Sequence, residues 1–82
     1  MTKPWFVYII ETETSYLYTG IAVDVEKRFK MHLEGKGAKF FRIHRPKRVV
    51  YIDQCEGKEL ALQREIEIKK MSTQEKRKLM DK

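Results

Sequence analysis

The sequence predicts a small α/β domain with its elements in the order β-β-α-β-α-α. Aromatic and β-branched residues typical of strands fill three segments, Trp5–Ile10, Tyr16–Tyr18 and Val49–Asp53. Apolar residues recur at helical spacing after Asp24 and over Lys58–Met71, and a capping box at Ser72–Glu75 predicts a last short helix. A chain of 82 residues has room for one modest core, so we expect a single domain over residues 1–82.

The first two predicted strands are close enough in sequence to pair as an antiparallel hairpin. The segment between them, residues 11–15, is polar and has the character of a turn. If this turn centres on Glu13, Tyr8 and Tyr18 lie opposite each other, and opposed residues point to the same face of a sheet. We therefore expect two phenol hydroxyls on one face, with Thr19 and Gly20 leading into a loop.

The helix after the hairpin carries two groups suited to a cleft. Asp24 is a favourable N-cap, because its carboxylate accepts backbone N–H bonds and suits the positive end of the helix dipole. Arg28 and His32 lie one turn apart at the edge of the apolar stripe. That stripe consists of Val25, Phe29 and Leu33. We expect a left-handed glycine in residues 35–37 to end the helix.

The charge of the chain favours a polyanionic partner. Eighteen basic and 12 acidic side chains give a net charge of +6, which favours nucleic acid first and an anionic membrane second. A merely basic soluble domain is the alternative. The densest basic stretch interleaves with Phe40 and Phe41, and it predicts a phosphate-contacting loop or short helix. We expect both rings to pack in the core rather than to stack on bases. Its cations are Lys36, Lys39, Arg42, Arg45, Lys47 and Arg48.

The sequence does not have the features of a membrane-spanning, secreted or zinc-binding protein. The most hydrophobic stretch, Trp5–Ile10, is too short to cross a bilayer, and nothing resembles a signal peptide. Cys55 is the only cysteine, which indicates a reducing, cytoplasmic location. One cysteine and two separated histidines do not have the spacing of a zinc site.

Glu65 occupies a position where an apolar residue is expected. On the helical wheel of Lys58–Met71 it lies between Ala61 and Ile68, near the middle of the apolar stripe. An unpaired buried carboxylate is costly, so the group should be neutralised or paired. It could bind Mg²⁺, which takes only one or two protein carboxylates and completes its shell with water and phosphate. It could instead pair with Lys69 or with an arginine at the core edge.

Together these residues resemble the GIY-YIG nuclease superfamily, and in particular its small stand-alone proteins related to the excinuclease amino-terminal domain. The family's two tripeptides correspond to Phe6-Val7-Tyr8 and Tyr18-Thr19-Gly20, with nine residues between Tyr8 and Tyr18. The resemblance continues through the segments 24–28, 35–39 and 61–65, and through His32, Pro46, Val49-Val50-Tyr51 and Lys69. The first tripeptide lacks its glycine and isoleucine, and the second has threonine in place of isoleucine. Both tyrosines and Gly20 are retained.

The resemblance implies a three-stranded antiparallel sheet flanked by helices, and phosphodiester hydrolysis with one Mg²⁺ or Mn²⁺ ion. It implies that Glu65 ligates the metal and that Tyr8 is the general base for the attacking water, or positions it. Tyr18 would hydrogen-bond water or phosphate. Arg28 would stabilise charge on the phosphate, and His32 would orient a tyrosine or relay a proton. Lys27 would join the basic stretch in contacting nucleic acid.

Three functions follow as expectations. The first is a metal-dependent DNA endonuclease, with repair or recombination as its setting and no small-molecule cofactor. The second is a non-catalytic nucleic-acid-binding module on the same fold. The third is an interaction domain that supplies DNA contacts to a larger assembly. A protein partner could supply the choice of target. Without the resemblance, Tyr8 and Tyr18 could be ordinary sheet residues, Arg28 a surface cation and His32 a helix cap.

Overall fold

A computed structural model describes residues 3–81, which form a three-stranded antiparallel sheet covered by helices on both faces. The strands are β1 (Trp5–Thr12), β2 (Leu17–Ala22) and β3 (Pro46–Cys55). The helices are α1 (Val25–Leu33), α2 (Phe40–Ile43), α3 (Lys58–Lys69) and α4 (Thr73–Met80). The strand order β2-β1-β3 places the first strand in the centre. This confirms the predicted α/β class and element order, to which the structure adds the single helical turn α2.

The second and third strands are longer than the sequence indicated. The prediction that β2 ends at Tyr18 is wrong, because the strand continues through Gly20 to Ala22 and pairs with β1 as far as Phe6. Likewise β3 begins at Pro46 rather than Val49. In both cases the central strand offers backbone partners beyond the apolar run, so pairing extends the strand past its local β-propensity.

The predicted hairpin register is wrong by two residues. Tyr8 pairs with Gly20, and Tyr18 pairs with Ile10, because the turn centres one residue later than Glu13. Ser15 adopts a left-handed conformation with φ 68° in this turn, and the Thr12 N–H donates to the Tyr16 carbonyl. A shift of two residues preserves the alternation of a strand, so both tyrosines still lie on one face.

The helix ends follow the predicted signals closely. The Asp24 carboxylate accepts a hydrogen bond from the Lys27 N–H at the start of α1, and Gly35, with φ 76°, follows its C-cap. Ser72 and Glu75 form both bonds of a capping box at α4. The predicted end of α3 at Met71 is two residues too late.

The sheet separates two hydrophobic clusters. On one face, Val7 and Ile9 pack with Ala61 and Ile68 of α3. On the other face, Tyr8, Ile10 and Ala22 pack with Phe41 of α2, and residues of α1 complete the cluster. Within residues 3–81 no helix has the length and apolar character needed to cross a bilayer. The faces of β1 therefore belong to two different layers, and Tyr8 lies on the face covered by α1 and α2.

Candidate active site at the outer edge of the sheet

Tyr8 reaches from the central strand across the outer strand β2. Its ring lies over Gly20, and a Cβ atom added there would stand 2.6 Å from the Tyr8 hydroxyl oxygen and 2.7 Å from Cζ. No other residue type could occupy position 20 without displacing the ring. The glycine retained from the second tripeptide therefore makes room for the phenol.

The Tyr8 hydroxyl is held by a buried histidine. Its oxygen lies 3.1 Å from Nε2 of His32, whose side chain is 3% exposed. The other ring nitrogen, Nδ1, accepts a hydrogen bond from the backbone N–H of Ala38 at 3.2 Å. A Cβ atom at Gly37 would collide with the imidazole, so this glycine lets the loop after α1 approach the ring.

This pair of contacts fixes the direction of the hydrogen bond. Because the Ala38 N–H donates to Nδ1, a neutral His32 carries its single ring proton on Nε2. Nε2 therefore donates to the Tyr8 oxygen, and the Tyr8 hydroxyl keeps its own proton for another acceptor. The arrangement orients the phenol, which is one of the two roles that the resemblance implied for His32.

Electrostatics keep both groups neutral. Burial lowers the pKa of His32, and the nearby Arg28 charge lowers it further. Burial is also the main reason that the pKa of Tyr8 is raised, and Tyr18 and Glu65 add to the rise. Arg28 acts in the opposite direction, as expected of a cation, but it does not outweigh the desolvation. Tyr8 is therefore a protonated hydrogen-bonding group in the free protein.

Aromatic rings surround the pair. The Tyr18 ring lies 6.5 Å from Tyr8 and 4.7 Å from Phe41, and Phe41 lies 4.3 Å from the His32 ring. Phe41 is buried and Phe40 stacks on Tyr18. Of the two interpretations of these phenylalanines, the structure supports packing, and they hold Tyr18 and His32 in place.

Arg28 lies one turn before His32, on the exposed side of α1. Its positive charge lowers the pKa of both His32 and Tyr8. The side chain also lines a cleft of about 460 Å³ beside the amino-terminal part of α1. The residue is therefore placed between the buried pair and open solvent, where it can meet an anion.

Glu65 approaches from the opposite layer. It lies on α3 between the buried Ala61 and Ile68, its side chain is 16% exposed, and its charge contributes to the raised pKa of Tyr8. Helix α3 packs against β1 and β2 on the face of the sheet opposite Tyr8. The carboxylate pairs with the Lys69 ammonium at 3.4 Å, which is the alternative that the helical spacing left open.

A network of polar contacts fixes α3 on the sheet. Arg64 bonds Asp53 of β3 at 3.3 Å and Glu67 at 3.4 Å, and it lies 3.5 Å from the Tyr51 hydroxyl. No sequence signal indicated this role, since Asp53 and Tyr51 come from β3 rather than from α3.

The available ligand fits a hard divalent cation whose coordination shell is completed by water and substrate phosphate. No cluster of three or more histidine, cysteine or acidic residues capable of holding a metal occurs within residues 3–81. Glu65 offers one largely buried carboxylate, and Mg²⁺ typically takes one or two carboxylates together with water and substrate phosphate. A metal at Glu65 would have to displace Lys69.

The predicted nucleic-acid contacts divide into two groups. Arg48 bonds Glu11 at 3.1 Å, and Arg45 lies 4.0 Å from Glu13, so part of their charge is neutralised within the protein. The other predicted cations are exposed, and none forms an ion pair with a described residue. They are Lys27, Lys36, Lys39, Arg42 and Lys47.

The fold and the site define a small nuclease-type domain. The family model of the GIY-YIG catalytic domain matches residues 4–78, and the chain belongs to this family. The family consists of nucleases that act on nucleic acid and generally use divalent metal ions.

The relatives of the chain carry a family label without an activity. A UPF0213 protein of Staphylococcus saprophyticus is 45% identical over 75 residues, which cover 92% of each chain. A UPF0213 protein of Cupriavidus necator is 45% identical over 73 residues, covering 89% of this chain and 79% of the relative. The solution NMR structure of a UPF0213 protein from Bacillus halodurans matches with a TM-score of 0.60 at 38% identity, covering 95% of this chain and 83% of that one.

Proposed function

We propose that this protein is a metal-dependent endonuclease that hydrolyses phosphodiester bonds in DNA. The observation that supports this most is the arrangement around Tyr8, whose hydroxyl is held by His32 and influenced by the charges of both Arg28 and Glu65. These groups come from β1, α1 and α3, which lie far apart in sequence. A buried phenol that is hydrogen-bonded to a histidine and affected by a cation and a carboxylate from other elements supports a catalytic role.

Each side chain has a distinct part in the proposed reaction. Water attacks phosphorus, one P–O ester bond breaks, and the leaving oxygen receives a proton, which yields a phosphate monoester and a free hydroxyl. Tyr8 holds the attacking water through its second lone pair, because His32 donates to the first. Arg28 stabilises the charge that develops on the phosphate oxygens, and Tyr18 hydrogen-bonds water or phosphate at the cleft.

The raised pKa of Tyr8 favours a positioning role over that of a general base in the free protein. Glu65 would hold the Mg²⁺ or Mn²⁺ ion, which when bound supplies Lewis-acid stabilisation of the phosphate. His32 maintains the orientation of the phenol and does not relay protons while the Ala38 N–H occupies Nδ1.

Exposed cations flank this site and would contact phosphates of the DNA backbone. Lys27 precedes Arg28 on α1, and Lys36 and Lys39 lie in the loop that contacts His32 through the Ala38 amide. Phosphate contacts of this kind give affinity without sequence preference. Choice of target would then come from DNA structure or from a protein partner, and repair or recombination is the setting that we propose.

The test is a cleavage screen over branched, nicked and duplex DNA and matched RNAs, with Mg²⁺ or Mn²⁺. Glu65→Gln should reduce the cleavage rate by about 100-fold or more, since it weakens binding of the metal ion that would stabilise the transition state. Glu59→Gln, an exposed acid on the same helix, is the matched control and should cleave normally. Binding of DNA should be equal in all three proteins. Metal-independent cleavage that persists in Glu65→Gln would refute the proposed site.

A second function, non-catalytic nucleic-acid binding, is favoured by one observation. In the free protein Glu65 is engaged by Lys69, so the carboxylate is not ready for a metal. Under this alternative the protein binds DNA in a salt-dependent manner, and no member of the substrate panel is cut. Lys69→Met separates the two functions, because release of Glu65 should strengthen Mg²⁺ or Mn²⁺ binding and increase cleavage only if the site is catalytic.

A further inference from the structure

A cationic cleft with an indole wall adjoins the proposed site. The cleft of about 460 Å³ that Arg28 lines continues along Lys27 and Met31 of α1 to Lys3 and Trp5, at the start of β1. Ala22 also lines it, two residues after the Gly20 that Tyr8 crosses. The cleft is therefore bordered by α1, which carries Arg28, and by the amino-terminal end of the central strand.

The charge of this cleft suits a phosphodiester chain. Lys3, Lys27 and Arg28 contribute three cations, and none of them forms an ion pair with a described residue. Asp24 is the one carboxylate in the lining, and its Oδ1 atom accepts the capping bond from the Lys27 N–H. The net positive charge is therefore available to an anion larger than a single phosphate.

Trp5 gives the cleft a feature that phosphate binding does not require. It is half-buried, and the Lys58 ammonium lies 5.4 Å from its ring centroid. An indole beside a row of cations matches the way in which proteins hold single-stranded nucleic acid, where bases stack on aromatic rings and cations follow the backbone. In a duplex the bases are already stacked and cannot reach such a wall.

We propose that this cleft binds an unpaired nucleotide next to the phosphate that is cut, with its phosphate against Lys3 and Lys27 and its base against Trp5. The inference depends on the proposed function for its position relative to the reaction. It adds a preference for DNA with a single-stranded segment, such as a flap, branch or gap, over uninterrupted duplex.

Trp5 is the only tryptophan in the chain, so its fluorescence reports on this cleft directly. The experiment uses the full chain carrying Glu65→Gln, without metal, and titrates it with a thymidine single strand of about ten nucleotides and with a duplex of equal length. We expect the single strand to quench the emission strongly and the duplex to change it little.

Lys3→Ala in the same background should weaken single-strand binding several-fold and lower the slope of log affinity against log salt by about one. Lys78→Ala is the matched control, because this exposed lysine lies on α4 and is not part of the cleft lining; affinity and slope should both be unchanged. Trp5→Phe, which retains an aromatic ring in a partly buried position, should bind a labelled strand with intermediate affinity.

Equal quenching by duplex and single strand would overturn the inference, as would no quenching at all or equal effects of Lys3→Ala and Lys78→Ala. A different result would reject the proposed function. Quenching that depends on Lys3, with no cleavage of any substrate by the unaltered protein, would preserve the cleft and reject the nuclease.

Discussion

The two faces of the central strand differ in chemistry although their residues alternate along the same backbone. Val7 and Ile9 face α3 in a cluster that is mainly aliphatic. These buried side chains have no polar groups, so packing alone stabilises them. Tyr8, between them in sequence, faces α1 and belongs to a cluster rich in aromatic rings, with a buried hydrogen bond to His32. One face is suited to stability and the other to orienting polar groups.

The comparison shows how a small domain can carry a polar site without losing its core. A buried polar group is tolerated only when it is hydrogen-bonded, and Tyr8 and His32 satisfy each other with help from the Ala38 amide. Because the aliphatic cluster is on the other side of the sheet, changes in one layer need not alter the other.

The largest expected effect comes from one substitution on each face of the central strand, compared for stability and for cleavage. Ile9→Ala should lower the free energy of unfolding by about 2–5 kcal/mol, because it opens a cavity in the aliphatic cluster. Tyr8→Phe should lower it by only about 1–2 kcal/mol, the cost of leaving a buried donor unpaired, yet reduce cleavage by about 100-fold. Urea unfolding and single-turnover cleavage measure the two quantities. A larger loss of stability in Tyr8→Phe than in Ile9→Ala would contradict this division.

A smaller effect should follow from filling the space that Tyr8 occupies. Gly20→Ala places a Cβ atom against the phenol and should cost about 1–3 kcal/mol by overpacking. Gly35→Ala is the control: it meets no atom within 4 Å, but its φ of 76° is unfavourable for alanine, by about 1–2 kcal/mol. Only Gly20→Ala should shift the Tyr8 and His32 ring signals in NMR spectra and reduce cleavage. Equal spectra for both variants would show that the ring does not depend on the glycine.

The smallest effect should be a gain in stability on the aliphatic side of β2. Thr19 is 4% exposed, and its Oγ1 atom has no hydrogen-bond partner within the described part of the chain. Thr19→Val keeps the shape and removes the hydroxyl, so thermal unfolding should show a gain of about 1 kcal/mol with unchanged cleavage. A loss of stability would indicate that the hydroxyl has a partner, such as a buried water.

Local signals were sufficient to predict both ends of α1 and the start of α4. The Asp24 cap, the left-handed Gly35 and the Ser72–Glu75 capping box involve residues within a few positions of one another, so the sequence contains the whole interaction. The pairing of Glu65 with Lys69 was predicted as an alternative for the same reason, since helical spacing brings them together.

Non-local features could not be predicted in this way. The hairpin register depended on a left-handed Ser15, a residue with no marked preference for that conformation, so the predicted opposition of Tyr8 and Tyr18 was wrong. The extension of β2 depended on the partners that β1 offers. Alternation alone was enough to place both tyrosines on one face, because it survives a shift of two residues.

The candidate site was predicted by residue type but not by its supporting contacts. Tyr8, His32 and Arg28 were identified from the motif, whereas the Ala38 amide that fixes the histidine tautomer is a backbone group with no side-chain signature. Trp5 and Lys3 come from a different element than Arg28, and only the fold brings them to one cleft. The assignment of catalytic roles to these residues remains a prediction until the variants are measured.

The central position of β1 has a consequence for inactivation. A strand with hydrogen-bonded neighbours on both sides exchanges its amide protons only when most of a small domain opens, whereas outer strands and chain ends open locally. Tyr8 is anchored to that slowest-opening segment, so its placement should persist through partial fraying of α4. Heating would then abolish the orientation of the phenol at the same temperature at which the whole sheet is lost.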